Sequence, residues 1–469
     1  MIHILPDDVL LEIFSFYKDD FENGFLLTWK WKTLTQVCRR WRQIIFASPR
    51  RLELHVVCTN SIPTGTMDLW PTLPIIVIHN PLDTLGNENI GDAIHIASAK
   101  YRGRITRIHL TNINVAELEY LEAVMQQPFP ALRHFCLECH PLDFFSVLSP
   151  LPDTFLGGFT PRLRSLILEG VSLPTFPRFA LSTHIVELRL VNIPPSGYIL
   201  PEAMATCLSA LPKLEDLFIE FRACLDFPKS NQISPPRTTR AILPALTSLW
   251  FRSFYVLEYF GDFVTRIDTP QLNLLIIGSV VMNAYFDIPR LHGSLRPFDQ
   301  AELVFGRRTT TIILRSPDRF ELQFKCDCPC QIISSMMRTF GRQLPHLSHV
   351  EQLKIRAPNI TDEDFGVCQW PELFDLFITV QRLYVSQNLV PYVADALQDL
   401  AGKTAMEVFP TLHNLSLEGF QPSAPVQEGI NSFVAARQLS DHPIVTQCWE
   451  PQFPDDYVSY DYWLPPGCS

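Results

Sequence analysis

Cys326, Cys328 and Cys330 form the tightest group of metal-capable side chains in this 469-residue sequence. Structural zinc takes four ligands, usually from Cys-x2-4-Cys pairs, and the flanking His292 and His346 lie outside such spacing. Leu322 and Phe324 precede the three cysteines in the same period of two, so the pattern predicts a strand with buried thiols rather than a metal centre. Gly402-Lys403-Thr404 has the look of the end of a phosphate-binding loop, but Leu397 stands where the first glycine is required. Gly-x-Gly-x-x-Gly, Gly-x-Ser-x-Gly and His-Glu-x-x-His are all missing. Arg39, Arg40, Arg42, Arg50 and Arg51 could meet nucleic acid, yet they share a helix with an apolar stripe and read as its solvated side. No catalytic residue, metal ligand or cofactor is expected, and the chemistry that remains is recognition by surface.

Composition supports that expectation. Apolar residues make up 47 % and charged residues 19 %, so the chain can bury a sizeable core. Asp and Glu outnumber Lys and Arg by 49 to 38, a net charge of −11 that disfavours nonspecific phosphate binding. Asp7, Asp8 and Glu12 interrupt the apolar start where a secretory signal would be continuous. The longest nearly apolar run, Leu272 to Met282, is far shorter than the ~20 residues needed to span a bilayer. These features predict an intracellular protein, cytoplasmic or nuclear, with no membrane or nucleic-acid partner. Its 12 cysteines are then reduced thiols, and the sequons at Asn359 and Asn414 are chance matches.

The elements that present such a surface can be read from periodicity. Pro6 suits a first helical position, and Asp7 and Asp8 complement the positive end of the helix dipole. Val9, Leu10, Ile13 and Phe14 follow as an apolar stripe, and Leu34, Val37, Cys38, Trp41, Ile44 and Ile45 predict a second helix across Trp31 to Phe46. Two or three helices in about fifty residues enclose little apolar surface alone, so this module needs a partner.

From Arg104 onward the chain repeats. Pro-x-Leu-x-x-φ-x-φ, with φ apolar, recurs with its first leucine at 132, 163, 214, 246, 272 and 412, and looser copies begin at Ile105, Ile185, Val350 and Val380. A degraded copy lies at Thr310 to Leu314. Frames from Ile105 to Leu272 lie between 22 residues (Leu163 to Ile185) and 32 residues (Leu214 to Leu246) apart. Alternate residues of each short strand point inward, and one-sided helices separate the strands: Leu118, Leu121, Met125; Met204, Cys207, Leu208, Leu211; Met336, Phe340, Leu344; Val393, Leu397, Leu400. The proline is expected to end each helix. Leu73 to Ile78 predicts a first, capping strand, and Phe433 to Leu439 a terminal helix. Beyond Ile444 runs a tail with Trp449, Phe453, Tyr457, Tyr460, Tyr462 and Trp463, expected to dock on the repeats.

Leu5-Pro6-Asp7-Asp8-Val9-Leu10-Leu11-Glu12-Ile13-Phe14, with Val37-Cys38-Arg39-Arg40-Trp41-Arg42-Gln43-Ile44 and Ser48-Pro49, closely resembles an F-box. The repeats resemble the leucine-rich repeats found behind F-boxes in fungal-type substrate receptors, without a consistent Asn or Cys after the strand leucines. The implied fold is α/β: a three-helix F-box module followed by an irregular solenoid with a parallel concave sheet. Its divisions are 1–51 (F-box), 52–103 (connector and capping strand), 104–420 (repeats) and 421–469 (capping helix and tail). The resemblance implies a Skp-type adaptor as partner, through it a cullin and RING ubiquitin ligase, and a protein target. The adaptor contacts would be Leu5, Pro6, Val9, Leu10, Ile13, Phe14, Val37, Cys38, Trp41 and Ile44. An insertion at Asp19 to Lys30 departs from the family pattern at its middle helix.

The column between the strand leucines holds His109, Cys136, Ile167, Arg189, Phe218, Trp250, Ile276, Lys354, Tyr384 and Ser416. Phe218, Trp250 and Ile276, with Arg189, Glu220 and Arg252 at the rim, form the candidate target-binding patch. Such a chain is a non-catalytic receptor within a ubiquitin ligase, or else a scaffold using the same two modules outside one.

Overall fold

The computed structural model describes residues 5–16, 30–49, 51–59, 66–70, 72–79, 100–139, 150–173, 178–222, 240–253, 257–279, 297–306, 309–326, 345–357, 370–401, 408–418 and 424–449. They fall into two compact units, one running to Ile199 and including Ala210–Leu214, the other comprising Leu200–Ser209 and the described residues from Glu215 to Trp449. Gly402-Lys403-Thr404, Cys328, Cys330, the helix predicted around Met336 and the tail beyond Trp449 lie outside the described residues. No helix among the described residues is long and apolar enough to cross a membrane.

The first unit opens with α1 (Asp7–Ser15), α2 (Lys30–Val37) and α3 (Arg39–Ala47). It continues into β1 (Val56–Cys58), β2 (Ile75–His79), β3 (Ile105–Ile113), β4 (His134–Cys139), β5 (Ser165–Glu169) and β6 (Glu187–Ile193), paired in chain order and all parallel. The predicted capping strand is thus β2, and β1 precedes it: Val56 to Cys58, buried at all three positions, is too short to show a period. Ile108, Phe135, Leu166 and Leu188 lie opposite one another in register, as do Leu110, Leu137, Leu168 and Leu190, and all eight are buried. Each contributes on the order of 1.5–3 kcal/mol of burial. Helix Val115–Val124 covers this core with Leu118 and Leu121, its start fixed by a reciprocal capping box between Asn114 and Glu117.

The proline of each repeat has a different job from the one expected of it. The amides of Leu132, Leu163, Leu214, Leu246, Leu272 and Leu412 each donate to the carbonyl three residues back, on Phe129, Thr160, Leu211, Leu243, Thr269 and Phe409. The proline is the second residue of that four-residue turn, where its fixed φ is favoured and its missing N–H costs nothing. It aims the leucine inward and delivers the chain to the strand.

The second unit contains β7 (Asp216–Phe221), β8 (Ala241–Ile242), β9 (Ser248–Ser253), β10 (Ile267–Asp268), β11 (Leu274–Ser279), β12 (Gln300–Phe305), β13 (Thr310–Arg315), β14 (Glu321–Cys326), β15 (Gln352–Arg356), β16 (Arg382–Val385), β17 (Asn414–Glu418) and β18 (Val445–Trp449). Its sheet runs β7-β9-β11-β14-β13-β12-β15-β16-β17-β18, with β8 and β10 forming a separate parallel pair. Thr310 to Leu314 is therefore not a parallel repeat. It is the middle of an antiparallel meander, β13 pairing antiparallel with both β12 and β14. The segment after Ile444 begins as expected by docking on the last repeat, and it does so as a strand, Val445–Trp449 pairing parallel with β17. The terminal helix is longer than predicted, Ala424–Leu439, and buries Arg437, whose guanidinium donates to the carbonyls of Pro410 and Leu412 at 3.0 and 3.3 Å.

A buried carboxylate locks the meander to β15. Glu302 on β12 accepts from Arg315 on β13 at 2.9 Å and from Arg356 on β15 at 3.0 Å, and Arg315 also donates to Glu321 on β14 at 2.9 Å. Burial pushes the Glu302 pKa up, but the hydrogen bonds and charges of the two arginines outweigh it and hold the carboxyl below its ordinary value. Its stabilising contribution is complete above the unfolded carboxylate pKa of about 4.3 and fades as pH falls through the depressed folded value.

Two stability predictions follow from these contacts. Glu302→Gln leaves two arginines facing a neutral amide, and urea unfolding at pH 7 should show a loss of about 3 kcal/mol, the low end for breaking a buried pair because Arg315 is a third exposed. The gap between variant and parent should narrow in acid, and a gap that widens there would contradict the depressed pKa. Gly170 sits at φ +67° with its amide on the Val191 carbonyl, and an added Cβ would meet the Cys139 carbonyl oxygen at 2.3 Å. Gly170→Ala should cost more than about 2 kcal/mol in the same measurement.

Candidate functional site

The N-terminal helices are built around an aromatic pair and one arginine. Phe14 of α1 packs on Trp41 of α3 with ring centroids 4.8 Å apart. Arg40 of α3 reaches back to α1, donating to Asp7 Oδ1 and to the Leu5 carbonyl, both at 2.6 Å. Arg51 pairs with Asp8 at 3.3 Å and Glu12 at 3.5 Å. Two members of the arginine cluster are thus answered by the acidic first helix, which weakens the field a phosphate backbone would need.

The second predicted helix is two helices. Cys38 takes extended geometry (φ −158°, ψ 168°), and its Sγ accepts the Trp41 amide at 3.5 Å as the cap of α3. The periodicity ran through this break because Val37, Cys38 and Trp41 keep helical spacing. Despite the Asp19 to Lys30 insertion, the middle helix of the motif forms as α2. Trp31 anchors it between Phe46 and Trp70, with centroids 6.0 and 5.5 Å away.

The ten candidate adaptor contacts divide by burial. Leu10, Phe14 and Ile44 are buried within the chain, together with Leu11, Leu34 and Ile45. Leu5, Cys38 and Trp41 are half-buried, while Pro6, Val9, Ile13 and Val37 are exposed. Val9 is 43 %, Ile13 39 % and Val37 59 % exposed, and Phe16 joins them at 81 %. Val9, Ile13 and Phe16 stand at i, i+4 and i+7, one face of α1. Phe16 was missing from the sequence-derived set, although continuing the Val9/Ile13 spacing by one step finds it.

In the second unit, Phe218, Trp250 and Ile276 lie opposite one another on β7, β9 and β11 as their repeat positions predicted. The rings of Phe218 and Trp250 are 6.2 Å apart. Phe218 and Ile276 are buried, so of the three only Trp250 keeps partial access. Its indole N–H donates to Ser248 Oγ at 2.8 Å, and the Lys325 ammonium lies 5.5 Å from its ring centroid. Burial first, then the neighbouring Arg252, lowers the Lys325 pKa against a smaller opposing pull from Glu321. Arg252 pairs with the buried Glu220 at 3.1 Å. Arg189 belongs to the first unit and pairs with Glu187 at 2.6 Å.

The arrangement supplies an exposed apolar helix face at the N-terminus and a sheet face with one accessible tryptophan. Residues 2–50 match the family model described as F-box-like. No curated protein matches the chain. The match covers the three helices tied together by Arg40, Phe14 and Trp41, and the N-terminal module is accordingly an F-box-like domain.

Proposed function

We propose that the chain is a non-catalytic substrate-recognition subunit of an SCF-type ubiquitin ligase. F-box domains generally bind Skp-type adaptors, and the F-box-like domain suggests that adaptor role here. On this reading the adaptor brings a cullin and RING subunit, the strands from β3 onward act as a leucine-rich-repeat array that holds a target protein, and Trp250 with Arg252 contributes to its grip. Rate enhancement comes from proximity, the bound target meeting the ubiquitin-carrying subunits as an intramolecular neighbour. The setting is intracellular, in cytoplasm or nucleus.

The observation that carries this reading is the division of the module's apolar residues. Leu10, Leu11, Phe14, Leu34, Ile44 and Ile45 are already buried within this chain, yet Val9, Ile13, Phe16 and Val37 remain exposed. A helix that is apolar on both sides has a second surface to cover.

The test follows from the same division. Val9→Asp with Ile13→Asp removes two side chains worth on the order of 1.5 kcal/mol each and should weaken binding to a purified Skp-type adaptor at least about 100-fold, with the melting temperature unchanged. Leu10→Asp should instead unfold the module, so loss of binding in that variant carries no information about contact. Undiminished adaptor binding by the Val9/Ile13 variant would overturn the proposal. Adaptor binding without ligase-dependent turnover of any captured protein would favour a scaffold instead.

A further inference from the structure

Three metal-capable side chains of different types meet on the open face of the first unit. His109 on β3 lies opposite Cys136 on β4, and Glu138 stands two residues further along β4 on the same face. The Cys136 thiol donates to Glu138 Oε1 at 3.5 Å, and His109 Nε2 lies 3.8 Å from that same oxygen. All three donor atoms fall within 4.8 Å of one another. Among the described residues Glu138 has no Lys or Arg partner, its carboxylate meeting only the imidazole and the thiol. The His109 and Glu138 side chains are 38 % and 24 % exposed, so an ion can reach them.

We propose that His109, Cys136 and Glu138 form a zinc site with three protein ligands and one open position. Tetrahedral zinc, with Zn–S about 2.3 Å and Zn–N or Zn–O about 2.0–2.1 Å, sets its donors about 3.3–3.6 Å apart, so the site closes with small side-chain movements. Imidazole, thiolate and carboxylate together suit zinc rather than magnesium or calcium. Binding takes the thiol as thiolate, its proton passing to bulk water, and His109 as the neutral ring. Parallel pairing is what makes the site: His109 and Cys136 occupy equivalent positions of successive repeats, and the two strands hold them side by side before any ion arrives. Cys139, three residues on, is different. It faces the core, and burial pushes its thiol up to about 12, which leaves it protonated and inert. The site does not depend on adaptor binding.

The test uses the full-length chain, stripped of metal and titrated with zinc against a chromophoric chelator, then with cobalt(II) as a spectroscopic substitute. One equivalent of zinc should bind, and cobalt should give a thiolate-to-metal charge-transfer band in the near ultraviolet. Cys136→Ser should abolish the band and weaken zinc more than about 100-fold, while His109→Gln and Glu138→Gln should weaken zinc and keep the band. Cys326→Ser/Cys328→Ser/Cys330→Ser should change nothing. Circular dichroism of the metal-free proteins checks that all variants fold. The proposal is overturned if the parent binds no zinc, if Cys136→Ser binds it equally well, or if only the Cys326/Cys328/Cys330 variant loses it.

Discussion

Parallel strands cannot complete their own hydrogen bonds, and everything else in this protein is arranged around that fact. Each strand needs a neighbour on both sides, and consecutive parallel neighbours require a crossover of a dozen residues or more. Here the joint is made just before each strand begins. In the first unit the amide of Arg133 donates to Thr106, Arg164 to Arg133, and Val186 to Arg164; in the second, Thr247 donates to Glu215, Asn273 to Thr247, and His413 to Gln381. The turn ending in leucine fixes where that joint falls, and so fixes the register. Once the register is set, equivalent positions of successive repeats form columns, and a column places His109 beside Cys136 or Phe218 beside Trp250 without any further device.

The repeats were legible because their physics is local. Proline at the second turn position, leucine at the fourth and alternating apolar residues after it are each visible within eight letters, as at Pro161-Arg-Leu-Arg-Ser-Leu-Ile-Leu168. The meander is harder to read, because Thr310 to Leu314 ends in the apolar run of a repeat strand, Ile312-Ile313-Leu314, without its turn. The signal against a repeat was present all the same. Only Gly306 to Thr309 separates β12 from β13, and only Ser316 to Phe320 separates β13 from β14. Both links are hairpin-sized and too short for a crossover. Ser316-Pro317-Asp318-Arg319 is moreover a turn composition, with Arg319 at φ +68°.

At the N-terminus the limits were of another kind. Period alone marks Val9, Leu10, Ile13 and Phe14 as apolar, but it does not say which of two adjacent faces the chain fills by itself. That division depends on Trp41, Ile44 and Ile45 arriving from α3, and on the break at Cys38 that sets the angle of arrival. Cysteine is not among the usual capping residues, so its sulfur accepting the Trp41 amide left no mark in the sequence. The family match over residues 2–50 agrees with the motif read at both ends of the module.

The detour in strand order also shapes how the protein is made. On a ribosome, β9 finds β7 and β11 finds β9 as each emerges, but the next partner of β11 is β14 rather than β12. The row of amides and carbonyls along Leu274–Ser279 therefore lacks its native partner until Cys326 has left the exit tunnel, 47 residues after Ser279 (326 minus 279). At translation speeds of about 5–20 residues per second this lasts roughly 2 to 9 seconds, an interval in which the growing sheet has an open edge of the kind to which other strands can add.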